Sequence, residues 1–401
     1  MLRELTIKNY KSILDHTIEL GRINVFIGEN GCGKTNILEA VAMAAAAVTN
    51  KLTVEDLFNR GMRVARPALI RSSFPGVNAK DVDIRCTVED ASRGVAHVAG
   101  LRLSETPGVG KLANSLKPFH EETVLGELIL AMLTESPGDL TSEQIRSALP
   151  ERSVIGKYEE ARLRDFAARP ALRDLLADFG VYDASTLALR GLAAVSRRAP
   201  LGLYGETLDD AIYTLDKASL KDLQQRARRI SWLEKFAVDT KGTDQYAAHK
   251  LGASQSKLFF HDRHMRRKNN IFSAENANEG ILHVLFHLTL FMHPDTPRVL
   301  GIDNIETALN PQLCRDLMAQ LPELAEKHGK QALITTHNPA ILDGLNLHDD
   351  EQRLFVVARD DEGHTVAKRI KQKEQPKDAP FKHKLSELWM RGHLGGLPET
   401  F

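Results

Sequence analysis

The sequence predicts an α/β fold: a mixed sheet, an antiparallel sheet near the N-terminus, and a helical insertion between two α/β lobes. Three observations predict it. A short apolar run, INVFI at 23–27, leads into a Gly-rich turn and then an Ala-rich helical stretch. A second apolar run, RVLGID at 298–303, ends in a carboxylate, as a buried parallel strand does when it delivers a side chain to a site. Between them, from about Pro118 to Lys241, strand alternation gives way to helical spacing.

The elements follow in order. LRELTIKN at 2–9 alternates as a strand, and HTIEL at 16–20 is its hairpin partner. INVFI is a buried parallel strand, and Thr35 to about Val48 is helix. DVDIRCTVED at 81–90 and VAHVAGLRLS at 95–104 are strands of an antiparallel sheet. The middle is helical, as in EARLRDFAARPALRDLLADF and DLQQRARRISWLEKFAV, and Pro150, Pro170 and Pro200 divide it into several helices. After about residue 250 the α/β pattern returns: EGILHVLFHLTLFM is a long apolar helix and RVLGID a buried strand. LCRDLMAQLPELAEKHG is one amphipathic helix closed by Gly329, QALITTH is the next strand, and RLFVVARD with HTVAKRIK forms a terminal hairpin. The expected lobes are 1–117, 118–250 (the helical insertion) and 251–401.

With 401 residues, 42% of them hydrophobic, the chain buries at least one large core. Lysine plus arginine equals aspartate plus glutamate at 53 each, which excludes a global basic surface and leaves any DNA or RNA contact to local patches. Cys32, Cys86 and Cys314 are far apart and lack metal-ligand spacing, which fits a reducing compartment. The N-terminus reads as a strand rather than a signal peptide, and the longest apolar windows fall short of a bilayer span. A soluble cytoplasmic protein with no membrane contact is the expectation.

GENGCGKT at 28–35 matches G-x-x-x-x-G-K-[ST] between a buried strand and a helix, where this phosphate-binding loop has to lie. Asn30, Gly31, Cys32 and Gly33 supply a nest of backbone N–H groups for ATP phosphates, and the following helix adds its N-terminal charge, with Asn36 in its first turn. Lys34 reaches the β- and γ-phosphates, and the Thr35 hydroxyl is placed to ligate Mg2+. Asp303 ends its strand as the second Mg2+ ligand, and ITTHNP at 334–339 puts His337 at the end of the next strand, facing the γ-phosphate or serving as a polar strand end. Asn278-Glu279-Gly280 opens a long helix, a second anion-friendly N-terminus.

The order MLRELTIKNYKSI, GENGCGKTN, a long insertion, NEGILHVL, GIDNIETALNP and ITTHNP resembles the RecF/SMC-like branch of ABC-type P-loop ATPases, and within it the OLD (overcoming lysogenization defect) family of phage-defence ATPases. The resemblance covers both α/β lobes. It implies a head-to-tail homodimer that holds two ATP molecules between one subunit's phosphate loop and the other's signature helix, here Asn278 and Gly280. It also implies control of an effector, a nuclease or toxin, TOPRIM-like in many relatives. The C-terminal residues show no E…DxD carboxylate set, so the effector is expected on a separate chain.

Departures from the family pattern accompany the matches. Asn278 stands where the signature usually has serine, and the glutamine loop of transporter ATPases is missing from the first lobe. Asn304 stands where the catalytic glutamate is usual: an amide orients water but takes no proton, which predicts slow hydrolysis. Glu306 offers two readings, a rescuing carboxylate or a structural residue at the dimer seam. Arg263, Arg266, Arg267 and Lys268, and separately Arg226, Arg228 and Arg229 beside Trp232, read either as phosphate-backbone contacts or as solvated and ion-paired faces. The segment 368–384 reads as a solvated hairpin edge and linker. The tail helix carrying Leu385, Leu388 and Trp389 packs on the lobe or docks a partner. Two functions compete: a regulatory ATPase of an OLD-like defence system, and a RecF-like repair ATPase that clamps DNA. A transporter subunit lacks its signature.

Overall fold

The computed structural model describes residues 1–49, 51–63, 67–77, 81–90, 95–105, 112–114, 172–193, 196, 198–241, 254–371 and 384–395. β1 (Leu2–Tyr10) and β2 (Ile13–Glu19) pair as an antiparallel hairpin. β3 (Ile23–Ile27) is buried throughout and feeds α1 (Lys34–Val48) through the glycine turn. The chain then returns to the hairpin through β4 (Asp81–Asp90), β5 (Val95–Glu105) and β6 (Leu112–Asn114), giving a sheet of order β2-β1-β4-β5-β6.

The second sheet carries the site. Its order is β14-β13-β3-β12-β11-β7, drawn from β7 (Val181–Tyr182), β11 (Val299–Ile302), β12 (Gln331–Thr336), β13 (Gln352–Arg359) and β14 (Thr365–Ile370). Strands β13, β3, β12, β11 and β7 run parallel, and β14 closes the edge antiparallel. The fold is therefore α/β with a mixed sheet and an antiparallel N-terminal sheet. Side chains alternate across the parallel strands into two cores. Ile23, Val25, Leu300, Ile302 and Ile334 face the apolar helix Glu279–Met292, while Phe26, Val299, Leu333 and Phe355 face α1. Phe26 stacks on Phe355 at 5.0 Å. The alanine run of α1 lets that helix pack closely against both sheets, since the same core holds Leu5, Ile7 and Val82 of the antiparallel sheet. Its buried Glu39 is neutralised by Lys11 and by Arg63 at 3.0 Å.

Three sequence expectations need correction. The stretch from Pro118 to Lys241 is not free of strands: Val181–Tyr182 joins the edge of the parallel sheet beside β11, and β8 (Leu233–Val238) pairs with β9 (Leu258–Asp262) and β10 (Ile271–Ser273). Residues 172–241 are thus built into the α/β body rather than set apart as a helical insertion, and the part of that insertion from 118 to 171 lies outside the described residues. A two-residue strand carries no period to read, and LEKFAV lies half exposed with charges that imitate a helix. The amphipathic stretch 313–329 is two helices, Pro311–Met318 and Leu321–Lys327, because Pro322 lacks an N–H and its ring opposes the Met318 carbonyl. Gly329, with φ +64°, does close the second.

The tail takes its packing role. Leu385, Trp389 and Leu394 lie against the core, and Asp343 accepts from the backbone and hydroxyl of Ser386 at 3.1 and 2.9 Å. Most of the basic segment 368–384 lies outside the described residues. Among the described residues no helix is long and apolar enough to cross a membrane.

Candidate nucleotide site

Parallel strands end together, so whatever follows them converges on one edge. At the end of β3 the chain turns through Gly28 to Gly33. Gly31 and Gly33 adopt φ +80° and +106°, and Gly33 caps α1. Asn30 and Gly31 form the exposed tip, whereas Cys32 is buried. The tip is braced from β13, where Arg359 donates to the Gly31 carbonyl at 3.2 and 3.0 Å. Thr365 donates to the Cys32 carbonyl at 2.7 Å and meets Ser12, which also receives the Asn36 amide at 2.7 Å. Asn36 is thus spent on holding the loop.

Lys34 curls over the loop, its Nζ on the Gly28 and Glu29 carbonyls at 2.9 and 2.8 Å and 3.3 Å from Nδ1 of His337. Burial lowers the Lys34 pKa, while Cys32, Asp303 and Glu306 pull it back up. Burial, then the neighbouring Lys34 charge, lowers that of His337, so a neutral imidazole faces the ammonium. The Cys32 thiol is pushed up by burial.

The two residues expected at a metal touch. Thr35 Oγ1 lies 3.1 Å from both carboxylate oxygens of Asp303, and Thr335 of β12 donates to the same carboxylate. One hydroxyl and one carboxylate, brought together beneath a phosphate loop, fit the sparse protein ligation of Mg2+, which keeps water and phosphate oxygens as its other ligands. The loop and this pair suit ATP·Mg2+.

Asn304 has φ +52°, a left-handed conformation that asparagine tolerates better than glutamate, and its N–H donates to Thr335 Oγ1 at 3.0 Å. Glu306 accepts the backbone N–H of His337 at 2.7 Å, tying the acidic strand's loop to the histidine strand. Asn278 and Gly280 do not join this cluster. Asn278 Oδ1 accepts the Gly280 N–H at 2.9 Å, and a Cβ on Gly280 would approach Leu313 and the Ala308 carbonyl. Glu279 pairs with Arg190 at 3.5 Å.

One residue of the site escapes the sequence reading. Asp183 follows β7 as Asp303 follows β11, in register with it: Ile302 pairs with Tyr182, and the Asp303 N–H donates to the Tyr182 carbonyl at 2.8 Å. Burial, with the charge of Asp303 next, raises the Asp183 pKa to about 6. A signal existed, since FGVYD at 179–183 repeats the apolar-run-to-aspartate pattern of VLGID. Of the basic clusters, Arg226 is consumed by Asp222 at 2.8 Å and Glu323 at 2.7 Å, and Arg263 by the Leu233 carbonyl. Arg266, Arg267 and Lys268 stand exposed on the β9–β10 turn.

Comparison with known proteins places this geometry. Residues 1–74 match the family "AAA ATPase domain", and residues 174–343 match "AAA domain, putative AbiEii toxin, Type IV TA system". The second match begins at residue 174, in line with the strand at 181–182 belonging to the ATPase sheet. Over 53 residues, 13% of the chain, the sequence is 40% identical to the DNA replication and repair protein RecF of Geobacillus sp. (strain WCH70), a stretch that spans 14% of that protein. An SMC head crystallised with the C-terminal winged-helix domain of ScpA superposes with a TM-score of 0.52 at 12% identity, covering 92% of this chain and 97% of that one. The fold is that of an ABC-type P-loop ATPase of RecF/SMC type.

Proposed function

We propose that this chain binds ATP·Mg2+ between two copies of itself, hydrolyses it slowly, and uses the ATP-bound head-to-tail dimer to control a separate effector in an OLD-like anti-phage defence system. One observation carries the ATPase reading: Lys34, Thr35, Asp303 and His337, from three separate stretches of chain, meet at the end of β3 with the contacts that ATP·Mg2+ asks for. In this arrangement the loop amides and Lys34 hold the phosphates, Thr35 and Asp303 hold the metal, and His337 faces the γ-phosphate. Asn278 caps its own helix at Gly280 and is not bonded to its own chain's loop, which suits a signature helix that serves the opposite subunit. ATP drives closure only by its preference for the closed dimer over the open form. Slow turnover, with an amide at 304, keeps that dimer closed as a timer. The matched family's description, a putative toxin of a type IV TA system, is compatible with a toxin-linked role.

A second reading, a RecF-like ATPase that clamps DNA, draws support from the RecF match and from the exposed Arg266, Arg267 and Lys268. ATP-dependent DNA affinity that falls steeply with salt would favour it. The test of the site itself is calorimetry with ATP·Mg2+. Lys34→Ala loses detectable binding, and an affinity equal to the unaltered protein's removes the assignment.

A further inference from the structure

We infer that the chain carries a second anion site, at the opposite end of the parallel sheet from the phosphate loop. Its ligand is a small phosphorylated molecule, whose phosphate group is held by Arg298, His328 and Lys330. The starts of two strands bring these residues together. Arg298 directly precedes β11 and Lys330 directly precedes β12, and the Gln331 N–H donates to the Arg298 carbonyl at 2.8 Å. His328 ends the helix Leu321–Lys327, and Gly329, with φ +64°, turns the chain back towards β12. With Pro294 these residues line an open cleft of about 550 Å³. Among the described residues no carboxylate lines it, although the chain as a whole carries as many acidic as basic side chains.

Each of the three side chains has a donor to spare. Lys330 is 3% exposed, and its Nζ donates to the carbonyl and hydroxyl of Thr296 at 2.6 and 2.9 Å. An ammonium has three protons, so one is left for the cleft. Burial, with the Arg298 charge next, lowers the Lys330 pKa to about 8 against the pull of Asp295, so it is still charged at neutral pH. Nε2 of His328 is enclosed and has no hydrogen-bond partner, which costs free energy that a ligand oxygen would restore. Arg298 is exposed, and among the described residues its guanidinium has no hydrogen bond or ion pair. A planar fork, an ammonium and a ring N–H around one cleft suit the several oxygens of a phosphate group. The volume leaves room for a small molecule attached to it. Asp295 and Glu326, exposed beside the lining residues in the chain, oppose an extended polyanion such as nucleic acid. Thr296 Oγ1 in turn lies 2.7 Å from the Leu290 and His293 carbonyls, which ties Lys330 to the last turn of the helix Glu279–Met292. The cleft and the Asn278 tip are therefore at the two ends of one helix.

The test is calorimetry with inorganic pyrophosphate, the probe for the phosphate group, on Lys34→Ala protein, in which the nucleotide loop is silenced. Saturable binding is expected, weakened roughly tenfold or more when Arg298→Ala is added. Arg298 is exposed, so its replacement leaves the fold standing, and thermal unfolding checks this. Arg298→Lys keeps the charge but loses the fork, and its affinity is expected to fall between the two. Arg229→Ala removes another exposed cation, just beyond the helix Lys217–Ala227, and is expected to weaken binding by less than about twofold. The imidazole nitrogen resonances of His328 are expected to shift on addition of pyrophosphate and to stay in place in Arg298→Ala. Absence of saturable binding overturns the inference, and so does an affinity unmoved by Arg298→Ala. Equal losses in Arg298→Ala and Arg229→Ala reduce the attraction to general charge and overturn it as well. Duplex DNA that binds through Arg298 where pyrophosphate does not would give the cleft to nucleic acid, against the inference. The nucleotide site is read separately, by ATP binding to protein that keeps Lys34.

Discussion

Gly33 shows how much of the site is decided at single positions. Its φ of +106° excludes most side chains, and a Cβ there would meet Thr365 Oγ1 at 2.2 Å and Ser12 Oγ at 2.9 Å. Thr365 is the residue that holds the Cys32 carbonyl, so crowding at 33 reaches the loop directly. Gly33→Ala is expected to cost about 1–2 kcal/mol in backbone strain alone and to weaken ATP at least tenfold, about 1.4 kcal/mol. Thermal unfolding and calorimetry check the two effects. The loop, Asp303 and His337 were legible in the sequence because fixed spacing and a strand on either side announce them. Asp183 was not. Its strand is two residues long, and its place beside Asp303 comes from register with β11. Asn304 was legible as a departure, but its left-handed backbone and its N–H bond to Thr335 exist only in the folded chain.

At the scale of elements, the apolar helix Glu279–Met292 carries two histidines into the core. His283 is fully enclosed and meets Thr186 at 3.1 Å, and His287 lies one turn on, edge-to-face with Phe286. Burial depresses both, to about 4 and about 3 from 6.5. Above pH 6.5 neither the folded nor the unfolded chain protonates them, so their full contribution is present. As pH falls, the unfolded chain takes up protons that the folded helix refuses, and stability drains away until the folded values are reached. Between pH 7 and pH 5 the loss is roughly 2–4 kcal/mol, and His287→Leu is expected to remove about half of it. Denaturant unfolding at the two pH values measures this, and equal losses in both proteins contradict it. The helix was plain from its apolar run, and Pro322 marked the break between Pro311–Met318 and Leu321–Lys327 for a reader who weighed it above the amphipathic period. The small sheet of β8, β9 and β10 was hidden because LEKFAV alternates weakly.

At the scale of the whole molecule, the phosphate loop and the helix tip at Asn278, the two halves of the proposed ATP site, make no hydrogen bond to each other among the described residues. The phosphate loop, metal pair and histidine converge at the end of the parallel strands, while the Asn278 helix tip packs on Ala308 and Leu313 of its own chain. In the proposed dimer a closed site takes a second copy, brought by nucleotide. Sedimentation velocity with and without ATP·Mg2+ tests this most directly, with a non-hydrolysable ATP analogue run alongside. The expected result is a monomer that becomes a dimer when ATP is added and, in Lys34→Ala, stays a monomer. A sedimentation coefficient indifferent to ATP would contradict the nucleotide-closed dimer.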